Sequence, residues 1–191
     1  LAAEKDVSVY TFIEDVGASG GYWLACAGDE IYAGNSSIVG SVGVVSGGFG
    51  FTELIQKLGI ERRLHTSGEK KAMNDPFSPE KPADVKHLRA LQRDIHEGFI
   101  GLVKVRRGEK LIGNDRAIFN GAYWTGARAL KLGLIDGIGD LRPVMRSKLG
   151  EDVKFKVFDE RRSWVQRRLS VSTLAGYRNG VGFADDFLAA L

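Results

Sequence analysis

Hydrophobic and polar positions change their period several times along the chain. The run VSVYTFIED, from Val7, is rich in β-branched and aromatic residues and predicts a buried strand. It leads into a turn of small residues and then a helix from about Gly21 to Ala27. DEIYAG predicts a second short strand. The stretch SIVGSVGVVSGGFGF adds valine-rich strand pieces between glycines that permit close backbone approach. TELIQKLG predicts a short amphipathic helix stopped by Gly59, and IERRLHT predicts a further strand.

The next stretch, SGEKKAMNDPFSPEKPAD, holds three of the chain's four prolines and has no apolar period, so it predicts a loop. From about Ala83 to Arg106, Val85, Leu88, Leu91, Ile95, Phe99 and Leu102 recur at helical spacing, which predicts the longest helix. GNDRAIFNGAYWTGARALKLGLIDGIGDL then predicts a short helix, an extended GAYW, a helix capped by Thr125 and ended near Gly133, and a buried LID. VKFKVFD predicts a final strand before a basic tail and a last apolar patch, FADDFLAAL. Strands alternating with helices indicate an α/β domain.

Composition removes several function classes. The 191 residues suffice for one domain with its own core, and 43% hydrophobic with 27% charged residues excludes disorder. No apolar stretch approaches the ~18 residues needed to span a bilayer. The first residue is Leu1 rather than Met, which leaves a leader, an anchor or an earlier strand open. A lone cysteine, Cys26, excludes an internal disulfide and a multi-cysteine metal site. His65, His87 and His96 lack ligand spacing, and the last two fall on the long charged helix, where a solvated face is expected. No metal and no cofactor are expected. The net charge is +3, with basic residues clustered only in VRRG and DERRSWVQRRL. Nucleic-acid binding would require a basic stripe interleaved with aromatics, so nucleic acid is not expected as a partner.

The candidate chemistry centres on Ser19, set among Gly17, Ala18, Gly20 and Gly21 between a predicted strand and a predicted helix. Its hydroxyl could cap the helix by accepting a first-turn N–H. Alternatively, a strand, a sharp small-residue turn and a helix form the geometry that presents a nucleophile, with the helix N–H groups aimed at a developing oxyanion. A nucleophilic serine needs a base. His65 has no acidic orienter nearby in RRLHTSG, whereas Lys70 and Lys71 lie in a glycine-bounded loop and could serve if held neutral.

Four ordered motifs, ASGGYW, GSVGV, LGI followed by TSGEKKAMNDPF, and FNGAYWTGARALKLGLIDGIG, resemble the signal peptide peptidase A family (protease IV) and its SohB-like relatives, from about Val7 to Asp159. The resemblance implies a crotonase or Clp-protease-like α/β spiral. It also implies a serine endopeptidase with a Ser-Lys dyad that degrades cleaved signal peptides or similar short, apolar, unfolded peptides. Ser19 then corresponds to the nucleophile. Counting forward from Ser67-Gly68 and back from Pro76-Phe77 selects Lys71 over Lys70 as the base, although Ala72 departs from the Asp or Ser that many members carry there. Ser41 corresponds to the serine that orients the lysine amine, and Gly20 to one oxyanion-hole donor. Tyr22, Trp23 and Val42 are candidate walls of the substrate pocket.

The resemblance further implies self-association into a homo-oligomeric ring with serine and lysine from neighbouring protomers. The long helix and FADDFLAAL are candidate contacts, with core packing an equal use for the helix. It implies membrane association of the full-length protein, with the catalytic domain extracytoplasmic. Residues 1–160 are expected to form the catalytic domain and 161–191 a C-terminal extension. The family's Pro-Gly-Gly stretch, which supplies a second oxyanion donor, has no counterpart here. The domain is therefore expected to be incomplete at its N-terminus, with that part removed, separate or disordered. Alternatives are a phage-type capsid or scaffold maturation protease, a crotonase-like acyl-CoA-binding protein, and a non-catalytic scaffold subunit.

Overall fold

The computed structural model describes residues 3–158, so the basic and apolar tail segments lie outside the described residues. Residues up to Glu151 form one compact unit, and a second begins at Asp152. Strand β1 (Tyr10–Ile13) ends in a bend at Glu14-Asp15, and the chain re-enters extended structure as β2 (Val16–Ala18) before helix α1 (Gly20–Ala25). Strands β3 (Glu30–Ala33) and β4 (Ile38–Gly40) repeat the pattern. β1 and β3 pair in parallel, as do β2 and β4. Each passage of the chain thus lays one strand in each of two sheets.

Later elements complete both sheets. β6 (Gly137–Ile138) adds to β3 in parallel, while β5 (Tyr123–Thr125) pairs antiparallel with β4. This stepwise laying of strands into two sheets is the α/β spiral that the motifs implied. Ser37 braces the corner between β1 and β2, where the Ile13 carbonyl also accepts the Gly34 N–H at 3.2 Å. Its buried hydroxyl lies 2.9 Å from the Ile13 carbonyl and 2.5 Å from that of Glu14.

The remaining helices are α2 (Thr52–Lys57), α3 (Pro82–Arg107), α4 (Asp115–Ile118), α5 (Gly126–Lys131) and α6 (Leu141–Leu149). α3 opens on Pro82, where a missing N–H costs nothing, and stops at Gly108 with φ +49°. It buries Phe99, Val103 and Arg107, one helical stripe in its C-terminal half. Leu91 and Ile95, farther up the expected apolar face, remain 43% and 53% exposed.

The two arginines of VRRG are spent on neighbouring helix ends. Arg106 reaches past α3 to the end of α1, donating from Nε to the Cys26 carbonyl at 2.8 Å and from Nη2 to that of Gly28 at 2.6 Å. Cys26 is the C-cap of α1, where carbonyls lack intrahelical donors, and a cation there also suits the helix dipole. Arg107, buried, donates from Nε to the Gly133 carbonyl just beyond α5 and from Nη1 to Asp136 Oδ2 at 2.6 Å. Gly133 adopts φ +74°, and a Cβ there would collide with the Lys110 carbonyl, so only glycine fits.

Several expected elements differ. Residues 60–66 and 153–158 form no strand; the former are exposed, and among the described residues no strand pairs with them to complete a ladder. Thr125 stands at the N-cap of α5 but makes no side-chain cap bond; the Ala127 N–H instead donates to the Asn35 carbonyl at 3.2 Å. β2 and β6 are too short to show a period, and α6 was not anticipated.

Asp136 gathers hydrogen bonds from Arg107, from Lys110 and from the Ile31 N–H. Burial alone would raise its pKa, but these donors outweigh it and hold the carboxyl at about 2. A carboxylate with a depressed pKa stabilises the fold above its unfolded value and loses that contribution as pH falls toward the folded one. Urea unfolding should therefore show a loss of about 2 kcal/mol from this group between roughly pH 5 and pH 2. Asp136→Asn, which strands Arg107, should cost about 3 kcal/mol at pH 7 and abolish that part of the acid dependence.

Candidate active site

Ser19 follows β2 directly and Ser41 follows β4 directly. Because Ala18 and Gly40 are paired in parallel register, the two serines leave the same edge of one sheet side by side. The Ser19 N–H donates to the Gly40 carbonyl at 2.8 Å, and the Ser41 N–H donates to that of Ala122 at 2.8 Å. Both backbones are forced into the left-handed half of conformational space, Ser19 at φ +51°, ψ −121° and Ser41 at φ +55°. A residue with a Cβ held there costs about 1–3 kcal/mol, and it persists only where the surroundings over-determine it.

The capping use of Ser19 is not what the structure shows. Its main-chain carbonyl accepts the N–H groups of Tyr22 and Trp23 at 3.0 Å each, while its hydroxyl makes no cap bond. Ser19 and Gly20 are both exposed, and nothing lies within 4 Å of the position a Gly20 Cβ would take. Gly20 and Gly21 open α1, where first-turn N–H groups lack intrahelical acceptors. The edge thus offers an uncommitted hydroxyl beside backbone donors with room for another chain to approach.

The three suggested pocket residues separate on burial. Trp23 is 40% exposed, with its ring centroid 4.8 Å from that of Phe99 on α3. Tyr22 and Val42 are wholly covered, so neither presents surface to a ligand. Tyr22 instead fixes α1 to the core, its hydroxyl donating to the Leu134 carbonyl at 2.7 Å, and burial pushes its phenol far above the usual range.

His96 does not lie on a solvated face. Half-buried, it places Nε2 3.1 Å from the Val42 carbonyl, next to Ser41. Its spacing of three from the buried Phe99 is the signal that would have found it. Lys71 lies in the exposed loop after Ser67, its N–H donating to the Gly68 carbonyl at 3.1 Å; Lys70 is equally exposed. Among the described residues, no hydrogen bond joins the Lys71 amine to Ser19 or Ser41. Nor do the described residues contain three or more His, Cys, Asp or Glu placed to hold a metal ion.

Comparison with known proteins adds the following. The sequence model described as "Peptidase family S49" matches residues 2–154. The chain is 52% identical over 169 residues to a protein of Brucella abortus (strain 2308) named Na(+)/H(+) antiporter NhaA, covering 88% of this chain but 23% of that protein. That name describes a protein most of which lies outside the match. A putative signal peptide peptidase SppA of Enterococcus faecium is 26% identical over 96% of this chain and 49% of its own length. A probable protease SohB of Buchnera aphidicola subsp. Acyrthosiphon pisum is 30% identical over 78% of this chain and 43% of its own. The chain therefore spans half or less of the length of these curated relatives.

The strained serine makes a stability prediction. Ser19→Gly should stabilise the chain by about 1 kcal/mol in urea unfolding, since glycine tolerates the positive φ. Ser19→Ala keeps a Cβ and should change stability by less than about 0.5 kcal/mol. Equal values for the two variants would show that the backbone at Ser19 is unstrained.

Proposed function

The chain belongs to peptidase family S49, and from that membership we propose that it is the catalytic part of a serine endopeptidase with Ser19 as nucleophile and Lys71 as general base. The observation that carries this reading is the pair of serines at one sheet edge, both in strained backbone, with the Ser19 hydroxyl unspent on capping. A neutral Lys71 amine accepts the Ser19 hydroxyl proton as the oxygen attacks a peptide carbonyl. The Gly20 N–H donates to the resulting oxyanion, and the lysine returns its proton to the leaving amine. Water, deprotonated by the same lysine, then releases the acyl group. Ser41 orients the amine, as an acidic residue orients a catalytic histidine.

Among the described residues no hydrogen bond links Lys71 to either serine, which suits a lysine delivered by a neighbouring protomer of a homo-oligomeric ring. Apolar surface on Leu91 and Ile95 is available for such association. Residues 1–160 are assigned to the catalytic domain and 161–191 to an extension. The substrates proposed are short, apolar, extended peptides such as cleaved signal peptides, with Trp23 as the exposed pocket residue. Among the described residues no helix is long and apolar enough to cross a membrane. Membrane association and an extracytoplasmic catalytic domain are proposed for the full-length protein.

In the full-length protein, Ser19→Ala and Lys71→Ala should each lower hydrolysis of an apolar peptide ester by more than about 10³-fold. Lys70→Ala should stay within about threefold of wild type. Undiminished turnover in Ser19→Ala would overturn the nucleophile assignment.

A further inference from the structure

The loop that carries Lys71 is held from behind by a cluster to which the reaction scheme gives no part. The Phe51 N–H, at the start of α2, donates to the Pro76 carbonyl at 2.6 Å. The Phe51 ring lies 5.6 Å from that of Phe77, and the Arg62 guanidinium sits 5.4 Å from the Phe77 centroid. Arg62 Nη2 also donates to Asp75 Oδ1 at 3.2 Å, so one guanidinium engages both the ring and the carboxylate. The Asp75 side chain, 7% exposed, further accepts from Ser78 Oγ at 2.8 Å and from the Phe77 N–H at 3.4 Å.

Asp75, Pro76 and Phe77 are thus each tied to earlier residues, immediately downstream of Lys71. The Arg62–Asp75 pair closes a separation of 13 residues, and Lys71 lies inside that closed loop. Its conformation is narrowed further by left-handed backbone at Gly68 (φ +100°) and Asn74 (φ +58°). Phe51 terminates the segment that runs on from Ser41, so the same cluster ties the lysine loop to the chain of its proposed orienting residue.

A general base on a long, flexible side chain in an exposed loop is useful only if the loop fixes its origin. Catalytic groups must be held to within about 0.5 Å, and misplacement by about 1 Å can cost on the order of 100-fold. We propose that Asp75, through its contacts with Arg62, Phe77 and Ser78, is a positioning residue that sets the Lys71 loop for proton transfer. This rests on the assignment of Lys71 as base. The carboxylate is suited to the task because the Ser78 hydroxyl and then Arg62 hold its pKa below the ordinary range, keeping it ionised wherever a lysine base can work.

The test uses the full-length protein, an apolar peptide ester and pH–rate profiles for wild type, Lys71→Ala, Asp75→Asn and the exchange Arg62→Asp with Asp75→Arg. Asp75→Asn should lower kcat by about 10- to 100-fold with KM within about threefold. Its ascending pH limb should move alkaline by about one unit or more, as the base loses its fixed place in the assembled site. The exchange should recover about tenfold of the lost kcat. Wild-type kcat and pH limb in Asp75→Asn, beside an inert Lys71→Ala, would overturn the positioning role and leave the base assignment standing. A loss in Asp75→Asn with an unmoved limb and no recovery in the exchange would reduce Asp75 to a structural part. Full turnover in Lys71→Ala would remove the base assignment and this inference with it. If Asp75→Asn fails to fold, Phe77→Leu, which keeps the apolar contact with Phe51 and removes the ring beneath Arg62, should show the same limb shift with about a threefold loss; an unmoved limb there overturns the proposal.

Discussion

The ion pair between Arg107 and Asp136 is the interaction through which the sheets and the site are mutually located. Two ions with side chains 1% and 11% exposed must recover a desolvation cost of several kcal/mol, and they do so with further hydrogen bonds rather than by attraction alone. Arg107 adds the Gly133 carbonyl; Asp136 adds Lys110 and the Ile31 N–H in the central strand of the first sheet. The Asp136 N–H in turn donates to the Ile31 carbonyl at 2.7 Å. Residues 133–136 are thereby fixed between the long helix and that sheet. Leu134, inside this turn, offers the carbonyl to which Tyr22 donates. Since Tyr22 stands in the first turn of α1, the position of the Ser19 edge is inherited from a salt bridge made by residues distant in sequence.

That firm underpinning explains how two adjacent serines can be kept in unfavourable backbone. β2 and β4 are three residues each, too short to hold strain by themselves. Their register is reinforced from both sides, by Ser37 at the corner below and by the Gly40 and Ala122 carbonyls that receive the serine N–H groups. The strain is then concentrated where the hydroxyls emerge, the distribution expected of a functional edge. Trp23 and Phe99 lock α1 against α3, so the helix presenting the backbone donors cannot drift from the serines.

Much of this was legible in the sequence because local chemistry and global fold agree. Ser19 between small residues and an apolar run marked the edge, Pro82 and Gly108 bounded the long helix, and the ordered motifs indicated the family. What escaped notice had non-local causes. Nothing near Tyr22 announces that its hydroxyl will meet Leu134, more than a hundred residues away, and so an aromatic beside the serine read as a pocket wall. VRRG resembled a charged patch until two helix ends were seen to need its guanidinium groups. IERRLHT has strand composition, but a strand requires a partner, and none of the described strands pairs with it. His96, on a charged helix, was expected on a solvated face, although it lies three residues before Phe99, which the apolar period includes; the Val42 carbonyl that it meets is 54 residues away in sequence.

The proposed chemistry makes the exposed hydroxyl of Ser19 a nucleophile activated by Lys71. Intact-mass analysis and peptide mapping of the full-length protein after exposure to an apolar peptidyl fluorophosphonate test it most directly. A single covalent adduct on Ser19 is expected, formed in wild type and lost or slowed by more than about 10³-fold in Lys71→Ala. Modification at another residue, or equal labelling of Ser19 without the lysine, would contradict it.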